Sequence, residues 1–132
     1  MEPSHPADRS YSKEHEWALA TSDGLLVVGI TDHAAHELGD VVYVSVPTAG
    51  ATVRQFEQFG EIESVKAVSD LFAPVSGEVV AVNDGLNDHP ELVNQSPFDQ
   101  GWILKVRPSN AAEMANLLDA AGYQAFLSEI GG

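Results

Sequence analysis

Few side chains in this sequence could do chemistry, and they fall into four groups. Lys66 stands between two apolar-rich runs, Gly60–Val65 and Ala67–Val75, in the stretch Phe59–Gly77. His33 and His36 are spaced i, i+3, with Glu37 beside them. His15 lies between Glu14 and Glu16, and Ser64 and Ser69 flank Lys66. Each suggests a different chemistry: acylation of an amine, metal binding, general base catalysis, or a Ser–Lys dyad. The metal reading is weak, because two imidazoles are half a zinc site and HAAHE is not the order of a zincin helix. The dyad is weak too, since a lysine at a hairpin tip is hydrated and lacks the burial that turns an ammonium into a base. His15 reads as an ion-paired or packing residue rather than a base. Lys66 remains, as a primary amine that an enzyme could acylate.

The elements that must position these residues are short strands. Glu61, Glu63, Ser69 and Asp70 alternate loosely with apolar neighbours on either side of Lys66, which predicts a hairpin with the lysine at its tip. No Asn-Gly or Asp-Gly marks the turn, so the hairpin rests on pattern alone. Pro74 and Gly77 close it, with Gly77 expected at a turn or a close backbone approach. Upstream, residues 1–10 predict a mobile tail and Trp17 a core anchor. Leu25–Ile30 reads as an apolar strand after the Asp23-Gly24 turn. Thr31 caps a helix over 32–38 that Gly39 ends, and Val41–Val46 is the next strand. Glu78–Val82 follows, then a long connection over Asn83–Gln100 of the kind that wraps a domain. Trp102, Leu104 and Val106 alternate with Ile103, Lys105 and Arg107 in a last strand.

The period then changes. Asn110 and Glu113 suggest a capping box. Met114, Leu117, Leu118 and Ala121 share one helical face, Gly122 breaks it, and Tyr123, Phe126, Leu127 and Ile130 make a second, so C-terminal helices are expected over 111–130. Helices this short are expected to pack on their own domain. The fold class is mainly β, a sandwich or small barrel, with residues 11–132 as one domain.

The chain has 132 residues and a formal net charge of −14, which argues against nucleic acid and for basic partners. It has no cysteine, so any sulfur chemistry must come from an added group. Neither a signal peptide nor a membrane span is read, which leads to an expected cytoplasmic location in a bacterium, or the mitochondrial matrix for a processed organellar form.

The string Glu63-Ser64-Val65-Lys66-Ala67-Val68-Ser69-Asp70 resembles the lipoyl-lysine segment of the glycine cleavage system H protein family, with Gly77 eleven residues beyond the lysine. YSKEHEW (Tyr11–Trp17), GITDHA (Gly29–Ala34), LGDVVYV (Leu38–Val44), APVSGEVV (Ala73–Val80), PELVN (Pro90–Asn94) and GWILKV (Gly101–Val106) resemble that family's strings in the family's order. The resemblance spans about Tyr11 to Leu127. It implies a lipoyl-type barrel-sandwich hybrid and a non-catalytic carrier, with lipoic acid in amide linkage to Lys66. Glu63, Ser64, Val65, Ala67, Asp70 and Gly77 would be the recognition context of that lysine. The family docks its loaded arm in a surface cleft, which the resemblance assigns to the EHEW segment, the helix over 32–38 and Asp70, with Glu14, His15, Glu16, Trp17, Asp32, His33 and Asp70 as the named residues.

The implied partners are a pyridoxal-phosphate-dependent glycine decarboxylase, a tetrahydrofolate-dependent aminomethyltransferase and dihydrolipoamide dehydrogenase. A lipoate ligase or octanoyltransferase would load the lysine, and the protein would be a monomer. In that system the arm accepts an aminomethyl group from glycine, presents it to the aminomethyltransferase and is then reoxidised. Two alternatives stay open: a relay that donates lipoyl groups to 2-oxoacid dehydrogenase subunits, and an unmodified interaction domain on the same fold. A biotin carrier is disfavoured, because Val65 and Ala67 stand where biotin acceptors have methionines.

Overall fold

Every strand in the computed structural model, which describes residues 5–131, pairs antiparallel. The first sheet is built from β1 (Ser10–Tyr11), β2 (Glu16–Ala20), β3 (Leu26–Ile30), β5 (Thr52–Val53), β8 (Gly77–Val82) and β9 (Leu104–Pro108), in the order β1-β2-β3-β9-β8-β5. The second holds β4 (Val41–Ser45), β6 (Gln58–Ser64) and β7 (Val68–Phe72), in the order β4-β6-β7. Alternate residues of each strand turn inward. Val28, Val79, Leu104 and Val106 of the first sheet and Val44, Ile62 and Leu71 of the second therefore meet in one buried core. Ile103, just ahead of β9, is buried as well, so the expected alternation begins at Leu104. The Ile103 amide donates to the Val28 carbonyl instead of facing solvent.

The helix α1 (Asp32–Leu38) follows the sequence closely. Thr31 accepts the Ala34 N–H, and Gly39 ends the helix at a φ of 79°. The long connection over 83–100 wraps the domain through two single turns, α2 (Gly85–Asp88) and α3 (Leu92–Gln95), which bury Leu86 and Val93.

Two expectations are corrected. Residues 5–10 are packed on the domain rather than forming a tail, and residues 1–4 lie outside the described residues. The His5 ring is buried against Tyr11 and Tyr123, and its Nε2 lies 3.0 Å from Asp32 Oδ1. The Tyr11 hydroxyl donates to the Pro6 carbonyl, and the Arg9 guanidinium lies 4.6 Å from the Trp17 ring centroid. Two prolines and few apolar side chains hid this, because the anchoring is by aromatic stacking and hydrogen bonds.

The C-terminal stripe from Met114 to Ala121 is not one helix. A 3₁₀ segment over Ala111–Asn116 ends at Leu117, which is extended, and Leu118 makes a bridge with Tyr11 through mutual 2.7 Å backbone bonds. Asn110 caps the Ala112 N–H, but Glu113 reaches the amide and hydroxyl of Ser76, so the capping box is not closed. The helix α4 (Ala120–Gly131) then starts before Gly122, whose amide donates to Asp119 Oδ1. Tyr123 is fully buried and stacks on Tyr11 with centroids 4.9 Å apart, forming with Trp17 a second core.

Gly77 begins β8 where it crosses β9, and a Cβ there would collide with the Arg107 carbonyl oxygen and sit 2.7 Å from Val106 Cγ1. Close approach rather than a left-handed turn is its reason. Gly77→Val should force the β8–β9 pair apart and cost roughly 1–3 kcal/mol, read as a lower urea midpoint with an unchanged slope.

Candidate functional site

Lys66 occupies a three-residue turn between β6 and β7, and it is exposed. The turn chemistry missing from the sequence pattern is supplied by Ser64. Its buried hydroxyl accepts the backbone N–H of Lys66 (3.2 Å) and of Ala67 (3.1 Å), while its own amide donates to the Ala67 carbonyl. A serine hydroxyl thus takes the place of the usual Asn-Gly pair. It is engaged in the turn and forms no dyad. The tip is tied to α1 as well: the Val65 amide donates to the Asp40 carbonyl, and the Lys66 stem lies over Gly39. A Cβ on Gly39 would come within 3.3 Å of Lys66 Cε. Asn94 of α3 fixes the far side of this joint, donating to the Gly39 carbonyl and accepting the Val41 amide. Nothing in its local sequence signals that role, which depends on a fold contact across the wrapping connection.

From the foot of the hairpin a cleft of about 590 Å³ runs between α1 and β7. Its walls are Ala67 to Phe72 on one side and His33, Ala34, Glu37 and Leu38 on the other. Ile30 and Ile62 supply apolar surface, and Glu14, His15 and Glu16 also line it. Of the seven residues expected there, Glu14, His15, Glu16, His33 and Asp70 are brought together. Trp17 and Asp32 are not. Neighbouring residues of a strand point to opposite faces, so Glu16 toward the cleft places Trp17 away from it. The Trp17 Nε1–H is shared between the carbonyls of Ile30 (2.9 Å) and Pro97 (3.0 Å). Asp32 accepts from the His33 amide and meets His5 in a separate groove on the other side of α1, with His36, Gly39, Asp40 and Asn94. Glu37 and Leu38 lie on the helix over 32–38 that the sequence reading assigned to the cleft, whereas Ile62 and Phe72 are cleft residues that it omitted. The alternation of β6 could have pointed to Ile62.

Glu16 is the most unusual residue of the site, 1% exposed. Its carboxyl accepts the Ser12 hydroxyl (2.5 Å) and the Phe72 amide (3.1 Å), so it joins β2 of one sheet to the end of β7 in the other. Burial pushes its pKa up to about 8, against the pull of the two hydrogen bonds.

Among the described residues His15 has no ion-pair partner. Its backbone has a φ of 73°, and its Nδ1 lies 2.7 Å from the Tyr123 hydroxyl, which is also 2.7 Å from Thr31 Oγ1. Burial, then the His33 ring centred 4.7 Å away, lowers the His15 pKa, and burial raises that of Tyr123. A neutral imidazole and a neutral phenol therefore connect the cleft to the helix cap. His33 faces His15, and among the described residues no group of three or more His, Asp and Glu could hold a metal ion.

Residues 9–130 match the family model described as glycine cleavage H-protein. The chain belongs to the glycine cleavage H-protein family. It is 55% identical over 123 residues to the glycine cleavage system H protein of Marinomonas sp., covering 93% of this chain and 97% of that one. It is 54% identical over 124 residues to that of Salmonella arizonae, covering 94% and 96%. The crystal structure of a glycine cleavage system H protein from Mycobacterium marinum superposes with a TM-score of 0.83 at 41% identity, covering 97% of this chain and all of that one. The two sheets are thus the lipoyl-type barrel-sandwich hybrid of the glycine cleavage H-proteins. As a family member the chain is a lipoyl-carrying shuttle and a subunit of the glycine cleavage system, not itself a catalyst.

The Glu16 carboxyl gives a pH test. Its folded pKa lies above its unfolded value, so between about pH 4.5 and 8 the folded state holds a proton that the unfolded state has released. The contribution of this group to stability therefore falls as pH rises through that window. Glu16→Gln should remove the effect: its melting temperature relative to the parent protein should climb from pH 5 to pH 8, measured by calorimetry in matched buffers.

Proposed function

We propose that Lys66 carries the lipoyl group in amide linkage, and that the cleft between α1 and β7 is where the arm rests. The observation that carries this reading is the continuity of the two features. An exposed amine on a turn braced by Ser64 and Asp40 stands at the head of a cleft whose wall begins at the next residue, Ala67. The cleft suits the group: Ile30, Leu38 and Ile62 match an aliphatic chain and a dithiolane ring, and Glu14, Glu16 and Asp70 can accept from an ammonium. A cation against Glu16 would also draw its pKa down and ionise it. When bound, the lipoyl group supplies the redox-active sulfur pair that this cysteine-free chain lacks. Glu63, Ser64, Val65, Ala67, Asp70 and Gly77 serve as the recognition context for loading. Trp17 and Asp32 support the site from behind.

The proposed partners are the pyridoxal-phosphate-dependent glycine decarboxylase, the tetrahydrofolate-dependent aminomethyltransferase and dihydrolipoamide dehydrogenase, with a lipoate ligase or octanoyltransferase as the loader. The bacterial relatives support a bacterial cytoplasm as the place of action. Lys66→Arg keeps the charge but cannot form the amide, and an exposed turn residue adds little to stability. The variant should keep its melting temperature, gain no lipoyl mass and lose all carrier activity. Lys13→Arg and Lys105→Arg should load and work normally, and equal losses in those variants would contradict the assignment.

The net charge of −14 should act on encounter. Carrier-dependent turnover should fall as salt shortens the Debye length from about 10 Å toward about 3 Å. Turnover of free lipoamide, which is neutral, should change little. Parallel losses would leave the charge without a steering role.

A further inference from the structure

Asn94 commits its whole side chain to the main chain at the end of α1. Its Nδ2 donates to the Gly39 carbonyl (2.8 Å) and to the Ala35 carbonyl (3.4 Å), and its Oδ1 accepts the Val41 amide (2.9 Å). Both donors and the acceptor oxygen are thereby engaged. The three contacts bracket a link of two residues, Gly39 and Asp40, between α1 and β4. The lysine turn rests on that link at two points. The Asp40 carbonyl accepts the Val65 amide at 3.0 Å, and Gly39 lies beneath the Lys66 stem. The clamp also has a rigid root. Val93, beside Asn94 in α3, is fully buried in the main core. Gly101 packs so closely against α3 that a Cβ there would stand 2.6 Å from the Leu92 carbonyl oxygen and 2.8 Å from that of Ser96. A single turn such as α3 keeps its shape through contacts of this kind rather than through its own hydrogen bonds.

We propose that Asn94 is a positioning residue of the carrier, holding the 39–40 link so that an arm on Lys66 stays within reach of the cleft and docks there. The proposal rests on Lys66 being the lipoyl site. Asn94, Gly39 and Asp40 do not line the cleft between α1 and β7, so the effect passes through the backbone and not through contact with the cargo. With the clamp released, the link and the turn on it gain freedom. The arm then samples more space, and the docked position is a smaller share of it. The fold itself loses little. Gly39, Asp40 and Asn94 line the groove of about 580 Å³ on the other side of α1, from which water can meet the freed backbone groups.

The test follows the cargo. An aminomethyl group on sulfur is an N,S-acetal, which one water converts to thiol, formaldehyde and ammonia. The C–S bond breaks, the sulfur keeps the electron pair and takes a proton, and no oxidant or reductant is needed. The lipoylated protein is charged from glycine by a purified glycine decarboxylase, separated from it, and its ammonia release is timed. Asn94→Asp keeps the shape but turns both donors into an acceptor, and Asn94→Ala removes the clamp. Each should speed release by about three- to tenfold, the factor that one or two net hydrogen bonds are worth. In the unloaded variants, exchange of the Val65 amide read by NMR should rise, while that of Phe72 at the other end of β7 keeps the parent rate. Dihydrolipoamide dehydrogenase should turn over the reduced arm of both variants at least as fast as that of the parent, since a freer arm is no harder to reach. Val79→Ala, a core truncation on β8, should lower the melting temperature yet leave ammonia release at the parent rate. Parent-rate release in both Asn94 variants would overturn the proposal while leaving Lys66 as the site. Equal acceleration by Val79→Ala, or a parallel fall in dehydrogenase turnover, would do the same by reducing the effect to lost stability. A parent protein that gains no lipoyl mass at Lys66 would instead remove the reading beneath the proposal, and the proposal with it.

Discussion

A carboxylic acid buried between two sheets sets the geometry on which the site depends. Glu16 accepts the Ser12 hydroxyl on its own side and the Phe72 amide across the gap, and so fixes where β7 ends relative to β2. From that anchored end β7 runs back to the turn, where Ser64 and the Asp40 carbonyl hold Lys66 at the head of the cleft. Burying a carboxyl is costly unless its lone pairs are met. The chain meets the cost with two donors and a raised pKa rather than with a counter-ion. An arginine there would hold the carboxylate charged. Leaving it without one keeps its ionisation responsive to what enters the cleft.

Around this joint the chain ends act as braces. Tyr123 of α4 reaches under the cleft to share its hydroxyl with His15 and Thr31. The same Thr31 caps α1, which forms the opposite wall. The segment from His5 to Tyr11 closes over the other side of α1, through Asp32 and the stacked pair of Tyr11 and Tyr123. The peripheral elements therefore hold the one helix that faces the hairpin, and they do it largely through neutral hydrogen bonds and rings.

Legibility from the sequence follows the range of the interaction responsible. The strands, α1 with its Thr31 and Gly39 caps, the lysine hairpin and the tight spot at Gly77 were readable, because period-two patterns and caps are local. Of the seven residues named for the cleft through family strings, five line it. Trp17 lies away from the cleft because adjacent strand residues face opposite ways, and Asp32 because it starts α1 on the face turned toward His5. The C-terminal stripe misled because Leu117 and Leu118 keep a helical spacing while their backbone is drawn off to bridge Tyr11. His5 and Arg9 looked like tail residues because their anchors, Asp32 and Trp17, are distant in sequence. Asn94 and the Ser64 turn needed coordinates for the same reason, each depending on where a hydroxyl or amide meets a backbone group.

The packing of the Lys66 stem over Gly39 has a kinetic meaning. A lysine rooted on a helix end, instead of waving from a free loop, confines anything attached to it to a small shell of space that includes the cleft. On the proposed role of Lys66, docking and undocking of the arm is an intramolecular equilibrium at an effective concentration on the order of millimolar. A partner must outcompete that local concentration to draw the arm out. A side chain on residue 39 would meet Lys66 Cε at 3.3 Å, so the stem would have to shift and the shell of space open to anything attached to it would change.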